Sequence, residues 1–137
     1  MYPAVPHEIS QIDSFLRSSG LTLVEGFASG GMGNQLLRYQ NDRIQVRLVC
    51  DRGGWFIEVH DPLDHPESWT GMSLFRSLLT GAEDDAELPL SEQAAVLETN
   101  WAAILDRLGP EKAKETHKQL DVIYRGRLKR LLPKLDL

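Results

Sequence analysis

Residues 43–60, RIQVRLVCDRGGWFIEVH, carry the clearest structural pattern in the chain. Polar and apolar residues alternate from 43 to 48, and residues 55–59 place their apolar side chains at the same spacing of two. This alternation is typical of strands with one buried face. The intervening residues 51–54, Asp-Arg-Gly-Gly, have the composition of a tight turn. Because a short turn joins the two segments, they predict an antiparallel hairpin.

A helix and two more strands precede this hairpin. The helix is predicted from His7 to Leu16 by apolar residues at helical spacing, with Gly20 beyond its end. Residues 21–25 and 35–40 have strand composition, and the turn after the second of them is Asn41-Asp42. The four strands therefore predict an antiparallel meander.

Three helices are predicted after the sheet. The first runs from Met72 to Thr80, the second starts at Ser91, and the third begins at Pro110 and ends at Pro133. This order predicts an α+β fold with an N-terminal helix, a four-stranded antiparallel meander and three helices packed on one face of the sheet. We expect residues 1–137 to form a single domain, because 137 residues are within the usual domain size.

The composition is that of an ordinary globular chain, with 42% hydrophobic and 26% charged residues. Cys50 is the only cysteine in the sequence, which excludes an internal disulfide and suits a reducing compartment. No apolar run approaches the ~18 residues that span a bilayer. The N-terminus also lacks the basic and apolar regions of a secretory signal. We expect a cytoplasmic protein without a membrane partner.

Charge is distributed unevenly along the chain. Between Glu58 and Glu98 ten acidic residues are opposed only by Arg76, a net charge of −9, whereas residues 111–137 carry +4. An acidic segment of this size repels nucleic acid and attracts basic proteins. The alternative interpretation is a solvated acidic surface that only keeps the protein in solution.

No set of residues matches a known catalytic motif. The glycine-rich residues 29–33 lack the spacing of a phosphate-binding or dinucleotide-binding loop. Cys50 is expected on the buried face of its strand, where a thiol is unreactive. We therefore expect no enzymatic activity, no cofactor and no bound metal. A metal-dependent enzyme that uses the His60-His65 segment is kept as an alternative, because this segment holds up to four candidate metal ligands: His60, Asp61, Asp64 and His65.

Nucleic-acid binding is the other function that the strands suggest. Their arginines form a basic stripe with aromatic residues nearby, at Arg38, Arg43, Arg47 and Arg52. The sequence pI of about 5.3 opposes affinity for phosphates, and such arginines often pair with carboxylates on neighbouring strands. We expect no nucleic-acid partner.

Trp69 stands in an acidic loop that contains two prolines, and it has no periodic partner. A tryptophan in such a loop either folds back over the core or anchors a partner protein. We place Trp69 first among the candidate partner-binding residues. The other candidates are acidic residues of this loop and of the segment before the helix predicted from Ser91: Asp61, Asp64, Glu67, Glu83, Asp84, Asp85 and Glu87.

Two stretches resemble a group of small bacterial immunity proteins that accompany polymorphic toxins and contact-dependent growth inhibition systems. Residues 33–59 share a Gly-Asn start, a Tyr before a polar turn, an Arg-x-Val strand, and Asp-Arg-Gly before an aromatic strand. Residues 88–93, Leu-Pro-Leu-Ser-Glu-Gln, match the start of the next helix. Cys50 stands where this pattern has an arginine. The resemblance extends from about Gly33 to Leu108.

The resemblance implies a cytoplasmic, non-catalytic protein that neutralises a cognate toxin domain by tight binding. A basic, nuclease-type toxin would suit the acidic segment, because opposite charges accelerate association. An adaptor or regulatory protein-interaction domain is the other binding function. A second copy of the chain could also cover the arginine-bearing face of the sheet, so a homodimer is a further option.

Overall fold

The computed structural model describes residues 6–28, 35–62, 68–82 and 87–134. Helices and strands follow one another along this part of the chain. The strands are β1 (Thr22–Ala28), β2 (Gln35–Gln40), β3 (Gln45–Asp51), β4 (Gly54–His60) and β5 (Thr70–Gly71). The helices are α1 (His7–Ser18), α2 (Met72–Thr80), α3 (Leu90–Thr99), α4 (Trp101–Arg107) and α5 (Ala113–Leu131).

The strands form one antiparallel sheet in the order β1-β2-β3-β4-β5. This confirms the predicted α+β fold with an N-terminal helix, an antiparallel sheet and later helices. Among the described residues, the number of strands and the number of helices differ from the prediction. The sheet has a fifth strand, whose two residues are too few to show an alternation, and four helices follow the sheet instead of three. The helix predicted from Ser91 is divided at Asn100, whose Nδ2 donates to the Val96 carbonyl at 2.9 Å.

The sheet buries one face under the helices. Side chains alternate in burial along β3 and β4, and Val46, Leu48 and Ile57 are fully buried. They join one cluster with apolar side chains of the helices that include Leu16, Phe75 and Leu97. Helix α1 contacts β1, α2 and α3 contact β4, and α5 packs against α2. Within the described residues, no helix combines the length and the apolar character needed to cross a membrane.

The opposite face of the sheet carries a row of charges across four strands. Glu25 pairs with Arg38 at 3.1 Å, and Arg47 pairs with Glu58 at 2.7 Å. The strand register places these four residues side by side. This outer face is therefore partly solvated, as the alternation of the sequence predicted.

The edge of β4 is closed by a side chain. Strand β5 pairs with β4 only at Glu58 and Val59, so the rest of this edge needs other hydrogen-bond partners. Gln93 supplies them from the first turn of α3. Its Oε1 accepts from the Ile57 amide at 2.8 Å, and its Nε2 donates to the Trp55 carbonyl at 3.1 Å. The side-chain amide thus takes the place of a neighbouring strand.

A buried tyrosine joins α1 to the sheet. Tyr39 of β2 is 1% exposed, and its hydroxyl donates to Oδ1 of Asp13. Asp13 also accepts from Arg17 Nε at 3.1 Å. The hydrogen bond from Tyr39 holds the pKa of Asp13 below its usual value. Burial, together with this hydrogen bond, raises the pKa of Tyr39, so the phenol stays protonated and remains a donor.

We expect Tyr39→Phe to lower the free energy of unfolding by about 1.5 kcal/mol at neutral pH, because it removes a hydrogen bond to a charged group. The lowered pKa of Asp13 stabilises the fold above the unfolded-state pKa of Asp, and this contribution is lost as pH falls through the folded-state pKa. Urea denaturation between about pH 6 and pH 2.5 measures both effects. The variant should lose less stability than the native chain over this range. An unchanged pH dependence would contradict the role of the Tyr39–Asp13 bond.

The turn between β3 and β4 contains a strained residue. Arg52 has a φ of 53° and Gly53 a φ of 85°, which are the positive values that a type I′ hairpin turn requires. Only glycine and asparagine adopt such values at low energy.

We therefore expect Arg52→Asn to raise the free energy of unfolding by about 0.5–1 kcal/mol. Gly53→Ala is the control at the adjacent position and should lower the free energy of unfolding by about 1 kcal/mol, because it introduces the strain that Arg52→Asn relieves. Thermal unfolding of both variants checks this pair, and a destabilised Arg52→Asn protein would contradict it.

Candidate functional site

Trp69 is held in place by two stacking contacts at the edge of the sheet. The pairing of Thr70 with Val59 brings Trp69 beside His60. The two rings lie 4.9 Å apart between centroids, with an interplanar angle of 32°. The guanidinium carbon of Arg47 lies 4.3 Å from the centroid of the Trp69 ring. His60 Nδ1 lies 3.0 Å from the carbonyl oxygen of Ser68, which fixes the backbone just before the tryptophan.

These contacts position the indole before any partner arrives. A cation–π contact contributes about 0.5–1 kcal/mol at a site of partial exposure. Arg47 is itself oriented by Glu58, which accepts from its Nε at 2.7 Å. A side chain already fixed in one rotamer loses little conformational entropy on binding. Trp69 is therefore a preorganised aromatic surface.

Trp69 forms one wall of an open groove of about 520 Å³ between the start of β5 and α5. We call this the Trp69 groove. Leu74 and Leu120 contribute aliphatic surface, and Tyr124 of α5, which is 49% exposed, also lines the groove. His117 and Asp121 supply the polar groups of α5 at the groove. The groove combines two aromatic rings with an aliphatic floor and a carboxylate.

A second cavity of about 340 Å³ lies along the edge of β4 and the start of α2. We call this the acidic cavity. Three carboxylates line it, those of Asp51, Glu58 and Glu87, together with Phe56 and one guanidinium, that of Arg127. Arg127 Nη1 donates to Ser73 Oγ at 3.0 Å. Because Glu58 is paired with Arg47, the carboxylates of Asp51 and Glu87 exceed the single charge of Arg127 by one, and this small excess favours a cationic side chain of a partner.

Glu58 connects the two cavities. Its carboxylate lines the acidic cavity and also accepts the hydrogen bond from Arg47, whose guanidinium covers Trp69. Glu58 therefore contributes to the acidic cavity directly and to the position of Trp69 through Arg47.

The structure places the predicted partner-binding residues in different environments. Trp69 stacks on His60, as in the folded-back alternative considered for it, and it also lines the groove; its role as an anchor for a partner stays a prediction. Glu87 is exposed at the acidic cavity. Asp61 is only 4% exposed and lies below the surface. The remaining candidates fall outside the described residues: Asp64, Glu67, Glu83, Asp84 and Asp85.

No group of three His, Cys, Asp or Glu side chains converges as metal ligands in residues 6–28, 35–62, 68–82 or 87–134. Of the four ligands considered in the His60-His65 segment, Asp64 and His65 lie outside these ranges. His60 is 2% exposed and is engaged with Trp69 and the Ser68 carbonyl. Cys50 is 1% exposed on the inner face of the sheet.

Three contributors to this surface were not identified from the sequence. Arg47 and Glu58 pair across strands, and cross-strand register could have indicated an ion pair but not its contact with Trp69. Tyr124 comes from α5, and its helical position gave no sign of the groove.

Comparison of the chain with protein-family models, with curated proteins and with solved structures finds no match.

Proposed function

We propose that this chain is a cytoplasmic, non-catalytic binding protein of the immunity type, which neutralises a basic, nuclease-type toxin domain by covering it. The observation that carries the proposal is the Trp69 groove, which is lined by a preorganised tryptophan and by the half-exposed Tyr124. The resemblance of residues 33–59 and 88–93 to small immunity proteins agrees with it.

The Trp69 groove has the composition of a binding hot spot. Tryptophan and tyrosine are the residues most enriched where a protein interface gains its free energy, and they act best in preformed, desolvated pockets. Trp69 and Tyr124 bring large apolar areas with polar tips, and Leu74 and Leu120 exclude water beneath them. An aliphatic or aromatic side chain of the toxin would fill the groove.

The acidic cavity selects the charge of the partner. Asp51, Glu58 and Glu87 surround it, and the segment from Glu58 to Glu98 carries a net charge of −9. A basic surface would be attracted over several ångströms and would associate faster at low ionic strength. The half-buried Phe56 supplies an apolar contact beside the carboxylates. This arrangement suits a lysine or arginine of a basic toxin.

The proposal is tested by co-expressing this chain with the protein encoded by the adjacent gene. We expect the chain to restore growth that this protein inhibits and to co-purify with it as a stable complex. A stable complex with a neighbour that does not inhibit growth would instead support an adaptor function. The absence of both rescue and complex would overturn the proposal.

Charge reversal at the acidic cavity is expected to slow association. Glu87→Lys should lower the association rate constant by about three- to tenfold at low salt, with a smaller effect at high salt. Glu98→Lys is the matched control, because Glu98 is also exposed, lies on α3 and gives the same change in net charge. Stopped-flow association at several salt concentrations compares them. Equal rate constants for the two variants would show that net charge, and not the acidic cavity, steers the partner.

A further inference from the structure

A third cavity of about 370 Å³ lies between the C-terminal end of α2 and the middle of α5. We call this the α2–α5 cavity. It is open because Gly81, Ala82 and Gly126 place little or no side chain there. Gly126 is in the interior of α5, where glycine is among the least favourable residues. A Cβ at this position would meet only Arg130 Nη1, at 3.5 Å, which is an ordinary contact. Packing therefore does not require the glycine that keeps the cavity open.

Ser77 provides a second and independent observation. It lines the same cavity, is 6% exposed, and its Oγ has no hydrogen-bond partner among the described residues. Thr80 in the same helix behaves differently, because its Oγ1 donates to the Arg76 carbonyl at 2.7 Å. Buried hydroxyl groups are normally hydrogen-bonded, and an exception calls for an explanation. A ligand that accepts a hydrogen bond from Ser77 would explain this exception.

The other lining groups define the chemistry of such a ligand. The Arg130 guanidinium lies beside Gly126, with Nη1 3.5 Å from the place that a Cβ would occupy there. Guanidinium groups bind carboxylates well. Ile123 contributes aliphatic surface to the lining, and Val122, which is 70% exposed, contributes at its rim. The volume of about 370 Å³ lies at the lower end of the range for small-molecule sites. A donor, a cation and a short aliphatic surface together fit a small anion with a branched alkyl group.

We propose that the α2–α5 cavity binds a small aliphatic carboxylate. Its carboxylate would lie at Ser77 Oγ and the Arg130 guanidinium, and its alkyl group would lie against Val122 and Ile123. The ligand is a free carboxylic acid or the C-terminal valine of a peptide, since the two present the same chemistry. This site is separate from the Trp69 groove and does not depend on the proposed function.

Titration of the full chain with isovalerate, followed by two-dimensional amide NMR, tests the proposal. We expect saturable shifts at the amides of Ser77, Gly81 and Gly126, and none with the neutral isovaleramide. Acetyl-Val-Val with a free C-terminus distinguishes the two sources: tighter binding than isovalerate indicates a chain terminus, and weaker binding indicates a free acid. An absence of saturable shifts with either carboxylate, or equal binding of the amide, would overturn the proposal.

Two variants locate the ligand in the cavity. Ser77→Ala should weaken isovalerate binding by about fivefold or more, because it removes the donor. Gly126→Leu should abolish binding, because it fills the open space with a good helix former. If Gly126→Leu does not fold, Ser77→Ala alone decides the matter. Unchanged affinity in a folded Ser77→Ala protein would overturn the assignment of the site.

Discussion

Replacing Gln93 by leucine is expected to lower the free energy of unfolding by about 3 kcal/mol or more. The Gln93 amide satisfies the Ile57 N–H and the carbonyls of Trp55 and Leu88, the last at 2.8 Å. Gln93 is 5% exposed, so water does not replace these bonds when the amide is removed. Each buried backbone group left without a partner costs about 1–3 kcal/mol. Urea denaturation of the variant measures the loss.

Gln11→Leu is the matched control for this substitution. Gln11 is exposed on α1, and its Nε2 lies 3.2 Å from the ring Nε2 of His7. The same exchange there should change the free energy of unfolding by less than about 0.5 kcal/mol. If Gln93→Leu lowered the free energy of unfolding as little as Gln11→Leu, the Ile57 N–H and the Trp55 carbonyl would have to find other hydrogen-bond partners. An open edge should also make the Gln93 variant more prone to associate through strand pairing.

The second large effect is expected at Trp69. Trp69→Ala should weaken the complex with the toxin domain by about 100-fold or more, which is the range of aromatic hot-spot residues. The free energy of unfolding of the unbound protein should change less than the free energy of binding, because Trp69 is only half-buried at the edge of the sheet. Most of the change is expected in the dissociation rate, since Trp69 acts through contact and not through charge. Isothermal titration calorimetry gives the affinity, and surface plasmon resonance gives the rates.

Trp101→Ala is the control that separates binding from folding. Trp101 packs edge-on against Phe15, with ring centroids 5.3 Å apart and an interplanar angle of 80°. Its removal should lower the free energy of unfolding by about 2–3 kcal/mol and leave the affinity of the folded protein unchanged. Equal losses of affinity at Trp69 and Trp101 would indicate an indirect effect through stability, and the Trp69 groove would then lose its role.

Much of the fold could be predicted because its signals are local. The alternation of residues 43–48, the apolar spacing of residues 55–59 and the glycines at the β3–β4 turn specify a hairpin without knowledge of the rest of the chain. β5 was missed because its two residues carry no periodicity, and its pairing with β4 depends on the tertiary structure. The interruption at Asn100 was missed for a similar reason, since asparagine is compatible with either helix or turn.

The candidate site depends on contacts between distant residues, which a single sequence does not reveal. Gln93 reaches Ile57 across 36 positions, and nothing in the first turn of a helix indicates that a side chain will close a sheet edge. The sequence indicated Trp69 as a candidate, but not that Arg47 and His60 would stack on it. It also indicated Asp61 as a candidate partner-binding residue, whereas the Asp61 side chain is only 4% exposed just after β4.

The central claim is that the Trp69 groove and the acidic cavity form the binding surface for a toxin domain. Hydrogen–deuterium exchange of the chain, free and in complex with the protein encoded by the adjacent gene, tests it most directly. We expect slower exchange in the complex at residues 68–74 and 117–124, and around 56–58 beside the acidic cavity. Slower exchange confined to α1 and β1, with these segments unchanged, would contradict the claim.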